Sequence, residues 1–148
     1  QGWTKGEGPR VISQGDTPPF LPLICYEAIF PQHASVKGAR PDWIVQITND
    51  AWFGQFSGPF QHLVQARVRA IEQGLPLARS ANTGVSAMVD ADGRVIEFIP
   101  LGQAGAINVT LPAALPKTVY SRTGDWPIFG VLLLLTIFQL SPLKRRES

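Results

Sequence analysis

The sequence predicts an α/β fold, one half of a layered sandwich, followed by a single apolar helix. Three observations carry this prediction. Leucine-rich and β-branched runs alternate with helical patterns through the first half of the chain, as strands linked by helices do. Two further strand-like runs flank Asp90-Ala91-Asp92-Gly93, and an Asp-Gly between such runs marks an antiparallel hairpin. From Trp126 to Leu143 no charged residue occurs. With 148 residues, 45% of them hydrophobic, the chain has enough apolar material to bury a core.

Taken in order, Gly2 to Gly8 is rich in glycine and charge and reads as a loop, followed by a short strand over Pro9–Ser13 and a turn over Gly15–Pro19. Leu21–Cys25 is the next strand, and Pro22 places its beginning outside any central ladder. Pro31 opens a helix that Gly38 ends. Asp42–Thr48, β-branched and aromatic, is a buried strand. Asn49–Pro59 combines turn formers with Trp52, Phe53 and Phe56, a composition suited to a binding loop. Phe53 reads equally as a staple to the core or as a contact residue. Pro59–Gln73 is the clearest helix, with Phe60, Leu63, Val64, Val68 and Ile71 as its core-facing stripe, Arg67 and Arg69 solvated, and Gly74 as its stop. Leu75–Ser80 leads into Ala81–Gly84 without a clear pattern. Val85–Val89 and Arg94–Phe98 form the hairpin, and Ala104–Val109 offers one more strand.

The chemistry centres on Cys25, the only cysteine, at the end of an apolar run. A polar residue closing a buried strand emerges at the sheet edge where open α/β sheets place their sites. Glu27 follows two residues later, and in an extended backbone its carboxylate would point to the same side. A lone cysteine also packs well as a small inert hydrophobe, so spacing alone leaves both readings open. One cysteine permits no intramolecular disulfide and excludes a CxxC site. His33 and His62 stand in unrelated stretches, which reads as solvated or helix-surface positions, with no metal and no cofactor expected. A formal charge of +2, with basic residues clustered only at Lys144-Arg145-Arg146, sets nucleic acid aside as a partner.

The uncharged run from Trp126 to Leu143 is about 18 residues, within the range that spans a bilayer. Trp126 suits one interface and the three basic residues the other, which places the carboxy terminus in the cytoplasm and the Cys25 domain outside. The alternative is a helix buried in a soluble core. The domain reading is residues 1–120 as one α/β unit, 121–125 as a linker, 126–143 as a transmembrane helix and 144–148 as a basic cytoplasmic tail. Residue 1 is Gln and the only methionine is Met88, from which the chain reads as a carboxy-terminal fragment.

Ile24-Cys25-Tyr26-Glu27-Ala28-Ile29-Phe30-Pro31 resembles the nucleophile segment of the nitrilase (carbon-nitrogen hydrolase) superfamily and, within it, of the apolipoprotein N-acyltransferases. Asn49–Gly54, Gly58-Pro59, Arg79–Val85 and the Tyr120-x-Arg122-x-Gly124-x-Trp126-Pro127 stretch resemble the same family. The resemblance implies the carboxy-terminal half of a nitrilase-like α-β-β-α sandwich followed by one transmembrane helix. It also implies a cysteine thiolate that takes an acyl chain from a membrane phospholipid as a thioester and passes it to the α-amino group of a diacylglyceryl apolipoprotein. Membrane lipid is then a partner, and the expected location is the bacterial inner membrane with the domain on the periplasmic side. Cys25 would carry the acyl group, the backbone N–H of Tyr26 would be an oxyanion donor, Glu27 matches a second acidic residue and Trp52 the substrate loop. The family's upstream Glu and Lys have no counterpart in Lys5 and Glu7, which stand too close to Cys25, so the isolated chain is expected to be inactive. Two other readings are a nitrilase-type amidase acting on small amides and a catalytically silent membrane-tethered binding module.

Overall fold

The computed structural model describes Thr4, Gly6 and residues 8–36 and 38–140. Lys5, Glu7, the end of the predicted membrane segment at 141–143 and the basic tail 144–148 lie outside the described residues.

Six strands form one sheet in chain order. A hairpin with Gly15 at φ +54° joins β1 (Ile12–Gln14) to β2 (Thr17–Ile24). The predicted turn over 15–19 is therefore shorter, because Thr17, Pro18 and Pro19 already belong to β2. β2, β3 (Trp43–Asn49) and β4 (Leu77–Asn82) are parallel neighbours, and β5 (Ser86–Val89) and β6 (Val95–Ile99) complete the sheet antiparallel. β2 faces β1 over its first residues, Thr17 to Phe20, and β3 from Phe20 to Ile24, so only Phe20 is paired on both sides and the start of the strand lies outside a doubly paired ladder, as expected from Pro22. Pro22 pairs with β3 alone, where a missing N–H on the outer flank costs no ladder bond.

The helices lie over one face of the sheet. Leu21, Leu23, Ile44, Leu77, Ala87 and Val89 point into that side and pack with Leu63, Ala66 and Ala70 of α2 (Ser57–Gln73). Gly74 ends α2 in the left-handed conformation (φ +62°), its N–H returning to the carbonyls of Ala70 and Ile71, as the sequence predicts. The buried stripe of α2 differs from expectation. It runs through Pro59, His62, Leu63, Ala66, Arg69, Ala70 and Gln73, while Phe60, Val64 and Ile71 remain about half exposed. Small and polar residues let α2 come close to the polar groups beneath it, and the larger side chains fall to its flank.

Three other expectations change. The helix at Pro31 is a single turn, α1 (Pro31–Ala34), because Ser35 is already extended and Val36 turns back onto the core. Ala104–Val109 is not a strand; Ile107 and Val109 instead border, with Val45, Ala78 and Met88, a cavity of about 250 Å3 on the sheet face opposite the helices. β4, to which the sequence assigns no element, is a central strand. The hairpin forms as expected, with the Asp90 carboxylate accepting from the backbone N–H of Asp92 and Arg94 and Gly93 at φ +80°.

After an irregular stretch comes α3 (Val119–Thr123), capped by the Thr118 hydroxyl, which accepts from Ser121 N–H and donates to the Glu72 carbonyl. Gly124 (φ +56°) then turns the chain into α4 (Trp126–Leu140). Every residue of α4 is exposed, so it is not a buried core helix. Fifteen residues rise about 22 Å, and no described helix is long and apolar enough to cross a membrane.

Candidate active site

The carboxyl ends of the parallel strands β2, β3 and β4 meet at one edge and bring three sequence stretches together. β2 ends at Ile24 and the chain turns at once into a 3-10 helix, Cys25–Ile29. At the turn Cys25 is held at φ +51°, a left-handed conformation uncommon for a side chain with a Cβ and found where the surrounding structure enforces it. Cys25 is partly exposed and Tyr26 half exposed.

The 3-10 turn removes the extended geometry expected for Glu27. Its carboxylate folds back and accepts the Ile24 N–H at 2.7 Å, with the other oxygen 3.9 Å from His33 Nδ1. Glu27 thus closes the turn that carries Cys25. The Tyr26 N–H lies in the first turn of this helix, where N–H groups have no intrahelical acceptor.

β3 ends in a second 3-10 turn, Asp50–Phe53, begun by Asn49, whose side-chain oxygen accepts from Ala51 N–H and from Asn82 Nδ2 of β4. Phe53 stacks on Tyr26 (centroids 6.1 Å apart) and meets the His62 ring edge-on at 5.3 Å, the contacts of a staple. Trp52 points the other way and is 83% exposed. The turn is held tightly from beneath, since a Cβ on Gly58 would lie 2.6 Å from Phe53 Cβ and one on Gly84 2.7 Å from Asp50 Cβ.

Below Cys25 lies a polar cluster that the sequence does not announce. Gln46, Thr48, Asp50, His62 and Arg79 are all buried. Arg79 pairs with Asp50 and donates to Gln46 Oε1 and, from Nε, to the Val85 carbonyl at 3.2 Å. Asp50 Oδ1 also accepts from Thr48 Oγ1 at 3.1 Å and meets His62 Nδ1 at 2.9 Å. Gln46 Nε2 donates to the Cys25 carbonyl at 3.1 Å and meets His62 Nε2 at 3.2 Å. Burial pushes the Arg79 guanidinium below its ordinary range, while the Asp50 carboxylate beside it pulls the other way. The solvated reading of His62 is thereby corrected: it is buried at the centre of the network. Arg69, expected in solvent, is buried as well and pairs with Glu72, and Arg67 Nε donates to the Gly93 carbonyl.

A signal for part of this network existed. Gln46, Thr48 and Asp50 share the strand parity of the buried Ile44, and Arg79 that of Leu77. Among the described residues no group of three or more His, Cys, Asp or Glu side chains could hold a metal ion.

Residues 3–119 match the carbon-nitrogen hydrolase family. The chain is 50% identical over 147 residues to the apolipoprotein N-acyltransferase of Bradyrhizobium diazoefficiens, and 47% identical over 145 residues to that of Rhodopseudomonas palustris. The alignments cover 99% and 98% of this chain and 27% of each relative, so the chain spans about a quarter of the length of the curated relatives it matches. Among solved structures, a mutant amidase from Nesterenkonia sp. AN1, carrying a Michael adduct of acrylamide on its active-site cysteine, superposes with a TM-score of 0.58 at 19% identity, over 86% of this chain and 50% of that one. A CN-hydrolase superfamily protein from Xanthomonas campestris gives 0.55 at 18% identity, over 88% and 51%. At these identities the likeness is one of fold.

Proposed function

The chain belongs to the carbon-nitrogen hydrolase family, and from that premise we propose that it is the nucleophile-bearing part of an apolipoprotein N-acyltransferase. The observation that carries the reading is Cys25, the only thiol of the chain, held at positive φ on the carboxyl edge of the parallel strands. The names of its relatives support the reaction assigned to it.

In this reading the Cys25 thiolate attacks the ester carbonyl of a phospholipid acyl chain. A carbon–sulfur bond forms, and the carbonyl oxygen becomes an oxyanion that the Tyr26 N–H meets. The oxyanion collapses as the carbon–oxygen bond breaks, and a lysophospholipid leaves with the proton that the base took from the Cys25 thiol. The α-amino group of a diacylglyceryl cysteine then attacks the thioester and gives a proton to the base, and Cys25 departs as thiolate. A thiol suits this two-step route because it is a strong nucleophile whose thioester stays reactive toward an amine. Glu27 acts on the turn through the Ile24 N–H, and the exposed Trp52 borders the approach of substrate. The base and a further donor come, by resemblance, from a Glu and a Lys that the region around Cys25 does not supply, so the isolated chain is expected to transfer no acyl group. α4, apolar and with no residue buried, anchors the domain at the outer face of the bacterial inner membrane.

Mass spectrometry tests this. After incubation of the full-length protein with phospholipid vesicles, a long-chain acyl adduct is expected on Cys25 and is absent in Cys25→Ala. Turnover of small amides with no adduct would sink the acyltransferase reading in favour of the amidase, and a Cys25→Ala protein as active as the parent would sink both.

A further inference from the structure

We infer that Gln46, oriented by Arg79 and His62, is a positioning residue that aims the peptide bond between Cys25 and Tyr26; the inference rests on the reading of Cys25 as a nucleophile that is acylated. The donor and acceptor chemistry of the partners of Gln46 orders the cluster. A guanidinium only donates, so the oxygen of the Gln46 amide must face Arg79 and its nitrogen must face Cys25 and His62. An amide nitrogen only donates, so His62 Nε2 must accept, and the ring proton sits on Nδ1, pointing at Asp50 Oδ1, which is 2.9 Å away. Arg79 Nη2, which lies 3.3 Å from His62 Nδ1, donates to Asp50 Oδ2 instead, and the alternative Gln46 orientation would set an amide N–H against Arg79 and an amide oxygen against the Cys25 carbonyl.

The consequence lies at the far end. Among the described residues all peptide bonds are trans, so the carbonyl of Cys25 and the N–H of Tyr26 point in opposite directions. By holding the carbonyl from the buried side, Gln46 turns the Tyr26 N–H away from the core. The same hydrogen bond polarises the peptide group and strengthens its N–H as a donor. It also helps to hold Cys25 at φ +51°, a conformation with its own cost.

Two reactions of the single cysteine separate aiming of the N–H from mere exposure of the sulfur. Iodoacetamide alkylates the thiolate by displacement at a saturated carbon, with iodide leaving and no oxyanion formed. p-Nitrophenyl acetate acylates it through a tetrahedral oxyanion, the carbon–sulfur bond forming before p-nitrophenolate leaves. In Gln46→Met the ratio of acylation to alkylation rate is expected to fall about tenfold or more, within the scale of losing or misaligning one oxyanion donor, with a parallel fall in the pH profile of acylation and no change in its midpoint. A ratio within twofold of the parent would overturn the inference. Should Gln46→Met fail to fold, the unaltered chain still decides: 15N NMR of His62 is expected to show the proton on Nδ1, and a proton on Nε2 would overturn the assignment. Neither readout uses phospholipid, so a failed acyl transfer with a lowered ratio counts against the proposed function alone, and an unchanged ratio beside a phospholipid-derived thioester counts against this inference alone.

Discussion

Asp50 is the residue on which the candidate site depends most. It is wholly buried, pairs with a buried Arg79, and accepts from Thr48 and His62. Removing one partner of a buried ion pair leaves the other charge without compensation, which costs about 3–5 kcal/mol. Asp50→Asn keeps the shape but removes the charge that balances Arg79 and, with its oxygen turned to the guanidinium, sets an amide N–H against His62 Nδ1, so urea unfolding is expected to show a loss of that order; a loss under about 1 kcal/mol would mean that the pair contributes little. The same residue shows what a sequence can and cannot tell. Cys25 stands out as a thiol ending an apolar run and Trp52 as an aromatic in a turn-rich loop, whereas Tyr26 is marked only by the family resemblance. Asp50, Gln46, Arg79 and His62 do not, because polar residues are solvated in most positions and become structural only when partners distant in the chain meet. Gln46 and Arg79 are 33 residues apart and share one hydrogen bond. Strand parity marks their burial, but only pairing partners explain it. The extended geometry expected for Glu27 does not form, since the 3-10 turn begins at Cys25 and folds the carboxylate back onto the Ile24 N–H.

At the scale of elements, pattern and punctuation foretold the second half of β2, β3, the β5–β6 hairpin and the carboxyl end of α2. The misses share a cause. β4 carries alanines and an arginine in place of an apolar run, and its centrality comes from β3 and β5 on either side of it. α2 was read by its bulkiest stripe, but the face it buries is the one that fits over a polar cluster. That face continues to a junction where α2 meets α3. Arg69 reaches Glu72 Oε1 at 2.9 Å, while Arg69 Nε and Nη1 and Glu72 Oε2 are buried without partners among the described residues. Burial raises the Glu72 carboxyl above its ordinary 4.5, Arg69 opposes this and Asp125 adds to it. A carboxyl raised in the fold binds its proton more tightly there than in the unfolded chain. Its contribution to stability is therefore full below pH 4.5 and lost as pH rises through the folded-state value. In Glu72→Gln that loss is absent. The melting temperature of the variant minus that of the parent is expected to rise with pH from 3.5 to 7.5, and a difference that falls instead would show that the Arg69 pair outweighs desolvation.

For the whole molecule the asymmetry of the sheet matters most. One face is covered by α1 and α2, while the other presents Ile24 and Ile47, more than half exposed, with Val45 and Met88 bordering an open cavity. An apolar face of this kind is what a second layer covers in a sandwich, consistent with a chain that spans a quarter of its relatives' length. α4 is the second uncovered surface. It has an apolar residue at nearly every position, no charge, and exposure on all sides, and it is joined to the domain through Gly124 and the Tyr120–Asp125 hydrogen bond of 3.1 Å. A helix that is apolar all round belongs in a core or a bilayer, and the domain offers it no core. If a bilayer is its solvent, a charge at its middle has a calculable effect. Exchanging leucine for arginine at a membrane helix centre costs about 3–4 kcal/mol, or roughly a hundredfold or more in partitioning. Leu134→Arg is therefore expected to abolish flotation of the chain with phosphatidylethanolamine–phosphatidylglycerol vesicles, while leaving the circular dichroism of the α/β domain unchanged, because no residue of α4 is buried against it. Equal flotation of parent and variant would show that the domain, and not α4, holds the protein to lipid.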